Sequence, residues 1–379
     1  MSVSRRHFFE LAGAGLLLQS QLLRGQQSSA PSASMKPEQP LLPLGLPAQV
    51  PIGRSKVALV HGDDRRKNVC QALVTIDDQV KAGLQGKKYV VIKPNNVSTS
   101  NQLAATHVDA LSGILDYLEP RFRGPVVIAE SSARDTMDGF ENFRYTELVS
   151  ERRSQKVSLL DLNREGKYET ASLIDSDLHA SPVRLAARLF DPDAYVISSA
   201  MLKTHNSVVA TLSVKNMVMG APLHSAPGET AWDDKHRYHA GPRQHHYNML
   251  VTAQRLQPHW GAAVIDGFEG MEGNGPTMGT LVPSHIAIAS TDFIAADRVG
   301  LETMGINPDW VGYLVFSGQA GLGQYDLSKI DVVGSSIASV QKKYRLHDWI
   351  DRELKWMGPM QELPVKTGSI LELHDYIYG

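Results

Sequence analysis

Short apolar runs alternate with longer stretches of helical spacing along most of this chain. Val57 to Val60, Tyr89 to Ile92, Val126 to Ala129, Val157 to Leu160, Ala194 to Ser199, Ala262 to Ile265, Ile286 to Ala289 and Ile330 to Val333 read as strands. Their near-continuous hydrophobicity suits strands buried on both faces. Between them, apolar positions three and four apart predict helices over Lys67 to Gly83, Thr106 to Leu118, Glu141 to Val149, His245 to Leu256 and Thr291 to Met304. A further, mostly apolar helix is predicted between Ser207 and Gly220. The alternation predicts an α/β fold, a mostly parallel sheet with helices on both faces. The α/β domain is placed at 51–335, with room for two lobes and a cleft between, the second lobe within about 160–260. Residues 336–379 read as a C-terminal helical extension. No repeat of fixed period is visible.

Ligands of such sheets gather in a crevice at the carboxyl ends of the strands. Polar clusters stand at four expected strand ends: Lys93-Pro94-Asn95-Asn96, Glu130-Ser131-Ser132, Lys203-Thr204-His205 and Asp266-Gly267-Phe268-Glu269. Lysines beside buried apolar surface imply that something anionic meets them. Lys203 and His205 are the leading catalytic candidates, because a neutral imidazole can move a proton, polarise a carbonyl or hold a metal. On a helix running through Ser207, Thr211 and Lys215, these three would form one polar stripe facing a cleft. Desolvation there would lower the Lys215 pKa and suit a base or a Schiff-base amine. The alternative is a lysine that snorkels to solvent.

Asn95 and Asn96 can orient a polar ligand beside Lys93, or simply end the strand in a turn. The segment 233–246 holds His236, His239, His245 and His246 and is either part of a metal site or a polar lid over the crevice. With His236 and His239, the acids Asp266 and Glu269 are the candidate metal ligands. The glycine-rich run from Asp266 to Gly279 lacks both the Walker and the Rossmann endings. Its glycines, Gly273 and Gly275 among them, would let the backbone approach a cofactor. Asp292 reads as a helix-dipole partner, and Asp297, on a more apolar face, as a better site residue.

Composition narrows the class. A net charge of -2 argues against nucleic acid as the main partner. The single cysteine, Cys70, excludes an intrachain disulfide and a cysteine-ligated iron–sulfur cluster carried by this chain alone. Ser4-Arg5-Arg6-His7-Phe8-Phe9 and the weakly apolar run to Leu23 form a twin-arginine signal pattern over 1–25. The apolar run is too short to span a membrane. The expectation is therefore a protein recognised by the twin-arginine export machinery, exported folded to the periplasm, with no stable membrane span after processing. Pro31, Pro37, Pro40, Pro43 and Pro47 mark 26–50 as a linker.

The order Lys93-Pro-Asn, Thr106-His107, Lys203-Thr-His205, Lys215-Asn216, Asp266-Gly-x-x-Gly-Met-Glu-Gly-x-Gly-Pro276, with Asp292 and Asp297, resembles the domain-of-unknown-function 362 family. The resemblance spans about Val57 to Gly334. It adds Thr106, His107, Thr204 and Asn216 to Lys93, Asn95, Asn96, Gly273 and Gly275 as expected cofactor-binding residues. Some members carry ferredoxin-type cysteine clusters, which this chain lacks. In layout, though not in motif, the chain is also similar to the nickel-pincer lactate racemase family. The resulting expectation is an enzyme acting on a small anionic substrate or a phosphate-bearing cofactor, with a divalent metal as a further possible cofactor. The competing expectations are a periplasmic binding protein without turnover and an accessory partner of an iron–sulfur redox protein.

Overall fold

A computed structural model describes residues 53–358. The twin-arginine pattern, the linker and the last part of the C-terminal extension lie outside the described residues. The strands are β1 Ser55–His61, β2 Tyr89–Lys93, β3 Val126–Glu130, β4 Val157–Asp161, β5 Tyr168–Ile174, β6 Ala180–Ala186, β7 Ala194–Thr204, β8 Ala210–Thr211, β9 Trp260–Glu272, β10 Thr280–Ser290 and β11 Ile330–Gly334. The main sheet has the order β11-β1-β10-β9-β7-β2-β3-β4, with β8 attached to β7, and β5 and β6 pair separately. Neighbours β9, β7, β2, β3 and β4 run parallel. β10 is antiparallel to both β9 and β1, and β11 is parallel to β1.

The principal helices are α1 Arg65–Thr75, α2 Asp77–Leu84, α3 Val108–Leu118, α4 Thr136–Asn142, α5 Tyr145–Glu151, α6 Ser213–Gly220, α7 Pro242–Leu256, α8 Phe293–Thr303 and α9 Gly312–Gln319. They cover both sheet faces, and the period-two alternation of the strands decides which face each residue serves. Val90, Ile92, Ile197 and Val264 join one core with Val69 of α1, Val80 of α2 and Leu111 of α3. Val91, Val196 and Ile265 join the other with Val214 of α6, Met249 of α7 and Ile294 of α8. All eleven residues of β7, the central strand, are buried. The fold is thus the α/β arrangement expected, with an antiparallel β10 inserted in a mostly parallel sheet.

The described residues lie in one compact unit. To it the stretch 160–260 contributes the β5–β6 hairpin, β7, α6 and α7. Several boundaries differ from the sequence reading. The single helix expected over Lys67 to Gly83 breaks at Ile76, whose ψ of 24° leaves the helical region while its side chain stays in the core. The helix expected over Glu141 to Val149 is divided by Arg144, which adopts a left-handed φ of 64°. β7 and β9 extend well past their expected ends. Apart from single helical turns at Ile337–Val340, Ile350–Glu353 and Leu354–Met357, 336–358 is irregular chain laid across the fold rather than the helical extension expected. No helix among the described residues is long and apolar enough to cross a membrane.

Candidate functional site

Because β7, β2 and β3 are parallel neighbours, their carboxyl ends open on one side of the sheet. There a cavity of ≈ 310 Å³ is lined by Lys93, Asn95 and Asn96 after β2, by Glu130 and Ser131 after β3, and by His205 after β7. Lys215, Asn216 and Gly220 of α6 close one wall, and Asp233, Lys235, His236 and His239 the mouth.

Lys93 is 1 % exposed and pairs with Glu130 at 2.8 Å. Its ammonium also donates to the Pro94 carbonyl at 2.8 Å and to Asn216 Oδ1 at 3.1 Å. The two oxygens of Glu130 further accept the Ser131 and Asn96 backbone N–H groups, at 2.8 and 3.0 Å. Asn216 Nδ2 donates to the Lys93 carbonyl and Ser198 Oγ, which fixes the orientation of its amide. Asn216 Oδ1 then accepts from Asn95 Nδ2 at 3.2 Å. A Cβ on Gly220 would fall 1.9 Å from Lys93 Cε, so only glycine lets this ammonium seat against α6. The α6 backbone itself is held by Asp297, which accepts N–H bonds from Ser213 at 2.8 Å and Val214 at 3.0 Å. Burial raises the Asp297 pKa to about 8.

The lysines differ in how they are tied. Lys203 is fully buried behind the cavity and donates to the Ala104 carbonyl at 2.9 Å. Burial, and then Lys215, push its amine well below the ordinary value. Lys235 donates to Ser131 Oγ and to the Met219 and Pro222 carbonyls, all neutral acceptors. Lys215 lines the cavity at 7 % exposure and donates to no protein acceptor among the described residues. Burial lowers Lys215 to about 7, helped by the positive Lys235 and Lys93, and lowers Lys235 to about 8.

His205 is held neutral, chiefly by burial and next by Lys215. Its Nδ1 accepts the Ser207 backbone N–H at 3.1 Å. The proton of the neutral ring therefore sits on Nε2, and the ring is a donor rather than a metal ligand through that atom.

The expected site residues separate into three places. Lys93, Asn95, Asn96, His205, Lys215, Asn216, His236 and His239 line the cavity. Thr106, Thr204, Gly273 and Gly275 support its walls. Thr106 Oγ1 accepts the Asn95 N–H and donates to the Ser199 carbonyl, while Thr204 donates to the Gly273 carbonyl at 2.8 Å. Gly275 packs so closely on the Thr204 carbonyl that a Cβ would lie 2.0 Å from it. His107 and Glu269 instead line a separate pocket of ≈ 210 Å³ beside Arg65. Asp266 is inside β9 and faces Arg65 at 3.2 Å, and Glu269 bonds the same guanidinium at 2.7 Å.

His236, His239, Asp266 and Glu269 therefore do not converge on one locus. Among the described residues, the group with ligand atoms in mutual reach is Asp175, Asp177 and His179, in the turn between β5 and β6. The stripe expected through Ser207, Thr211 and Lys215 is also corrected: α6 begins only at Ser213, and Thr211 belongs to β8. Val209, at a left-handed φ of 69°, turns the chain so that Ala210–Thr211 can pair with β7. Sequence reasoning missed Lys235 as a cavity cation, since the segment around it, with Asp233, Asp234, His236 and Arg237, read as a metal site or a polar lid over the crevice. Glu130 was visible as a strand-end cluster but not as the partner of Lys93.

No curated protein matches the chain. Among solved structures, a structural-genomics target protein from Thermotoga maritima is similar at 10% identity, with a TM-score of 0.43. That likeness covers 69% of this chain and 60% of the other. Residues 90–302, more than half the sequence and including every lysine of the cavity, match the family described as "Domain of unknown function (DUF362)". This protein therefore belongs to the DUF362 family.

Proposed function

We propose that this protein is an enzyme that binds a small anionic substrate, or a phosphate-bearing cofactor, in the Lys/His-lined cavity. The observation that carries the reading is an imbalance of charge. Glu130 neutralises Lys93, and Asp233 is turned to His236 at 2.7 Å, but Lys215 and Lys235 face no carboxylate within bonding distance. Two desolvated amines without a counter-ion are costly, and an anion in the cavity relieves both. The Nε2–H of His205 supplies a directional donor to the same ligand.

Binding should stabilise the fold. Inorganic phosphate at about 100 times its dissociation constant adds about 2.7 kcal/mol, with a melting temperature that climbs with the logarithm of concentration. Lys235→Met should weaken phosphate by about tenfold, the loss of one charge-assisted contact of about 1.4 kcal/mol. Chloride at equal ionic strength should do neither. If phosphate, sulfate and carboxylates stabilise no more than chloride, the anion reading fails.

A further inference from the structure

We propose that Lys215 forms a covalent imine with its substrate, which makes the ligand class a small carbonyl compound bearing an acidic group: a 2-oxo acid or a phosphorylated aldehyde or ketone. The inference rests on the anion-site reading above and extends it from binding to bond formation.

Its ground is the different tethering of the buried lysines. Lys93 is locked to Glu130, Lys203 to the Ala104 carbonyl, and Lys235 to three oxygens. Lys215 is buried too, at 7 % exposure, yet its amine reaches the cavity with no acceptor among the described residues to hold it. An amine reserved for salt bridging would have a carboxylate, and one reserved for structure would cap a carbonyl. The untied amine is instead free to approach an electrophilic carbon, and its lowered basicity keeps a substantial share unprotonated near neutrality. Lys235, on the same cavity and tied only to neutral oxygens, can exchange its long 3.3 Å bond to the Met219 carbonyl for the acidic group or for the departing hydroxyl.

The step balances with groups at hand. The Lys215 nitrogen lone pair forms a bond to the carbonyl carbon as the C=O π pair moves to oxygen. One nitrogen proton passes to that oxygen, giving a carbinolamine. The hydroxyl then leaves as water with a proton from the Lys235 ammonium, and the nitrogen lone pair closes the C=N bond. The product is a protonated imine plus water, and loss of the iminium proton restores Lys235. His205, donating from Nε2–H, can hold the oxygen during addition.

The test is reductive trapping. The full chain is incubated with pyruvate, with glyceraldehyde 3-phosphate or with neutral acetone, reduced with borohydride, digested and mapped by mass spectrometry. Pyruvate or glyceraldehyde 3-phosphate should label Lys215 at least about tenfold above an exposed lysine such as Lys67, as an activated amine demands. Acetone should not, and excess inorganic phosphate should suppress the labelling. Lys215→Arg should abolish the adduct, whereas Lys67→Arg, an exposed residue outside the cavity, should leave both the adduct and phosphate stabilisation unchanged. Labelling spread over surface lysines, or none at Lys215 while phosphate still stabilises the protein, overturns the imine and leaves the anion site standing. Absence of both labelling and phosphate stabilisation brings down both proposals.

Discussion

Lys215 and Lys235 put a pH signature on the fold that the ligand should erase. Both amines are depressed by burial from the ordinary lysine value of 10.5, to about 7 and about 8. A depressed lysine binds fewer protons in the folded than in the unfolded chain, so stability grows as pH rises from the folded toward the unfolded value and is lost as pH falls back. Asp297, raised by burial to about 8, acts in the opposite sense, because its contribution is lost as pH rises toward that value. Above it the lysines dominate. Urea unfolding of the anion-free protein should therefore show stability rising between about pH 8 and about pH 9.5. Lys215→Met should flatten the rise, and saturating phosphate should flatten it in the wild type by keeping the amines charged in the folded state. A slope unaffected by either change would mean that these lysines are hydrated rather than desolvated. At this scale much of the cavity was legible: Lys93, Asn95, His205 and Lys215 stand out because cations and amides at apolar strand ends are unusual. Lys235 was not, because its burial comes from a loop folding back over Ser131 and Pro222, and no periodicity records that.

The element that matters most is α6, the short helix that presents Lys215 and Asn216. Its start is set by Asp297 from α8, whose two oxygens take the Ser213 and Val214 N–H groups in a buried setting. Asp297→Ala leaves both donors unpartnered. It should cost about 2 kcal/mol or more by urea unfolding, above an exposed cap because the orphaned groups are buried. Phosphate affinity should fall with it, since Lys215 lies in the first turn of that helix. Asp297→Asn, which keeps one acceptor oxygen, should recover part of both. If Asp297→Ala binds phosphate like the wild type, α6 is positioned by its apolar packing alone. The sequence placed a helix between Ser207 and Gly220 but could not place its first residue. Val208, Val209, Leu212 and Val214 fit a helical face, yet 207–212 is spent on a left-handed turn at Val209 and on pairing β8 with Lys203–Thr204. The same non-local pairing lengthens β7 past Ser199 and turns Lys203 from a loop residue into a strand residue behind the cavity. Apolar runs marked eight of the eleven strands among the described residues but not their ends, which depend on the neighbouring strand, and β5, β6 and β8, with fewer apolar residues or inside an expected helix, went unmarked.

Across the whole molecule, the chain after β11 joins parts that the sheet leaves separate. Its backbone N–H groups at Lys342 and Tyr344 bond the end of α8. Arg345 exchanges bonds with the glycine-rich turn, its carbonyl accepting the Gly273 N–H at 2.7 Å and its N–H reaching Glu272 at 2.9 Å. Glu353 accepts the Val209 N–H and so grips the loop that carries His205 and Ser207. Trp356 then anchors the strap, edge-on to His246 at 5.2 Å and Phe316 at 5.3 Å, with its Nε1 donating to the Trp310 carbonyl. From the sequence the extension read as helical, but its described part is mostly irregular, because chain held in place by other elements has no periodicity of its own. Trp356→Ala should remove about 3 kcal/mol of stability, as aromatic truncation in a packed site does. Because the strap grips both the His205 loop and the glycine-rich turn, the same variant should bind phosphate more weakly at temperatures well below its melting point. Glu353→Gln keeps the acceptor oxygen for Val209 and should leave phosphate affinity nearer the wild type. If Trp356→Ala lowers the melting temperature but leaves phosphate affinity intact, the strap stabilises the fold without shaping the cavity, and the link from the C-terminal segment to His205 is severed.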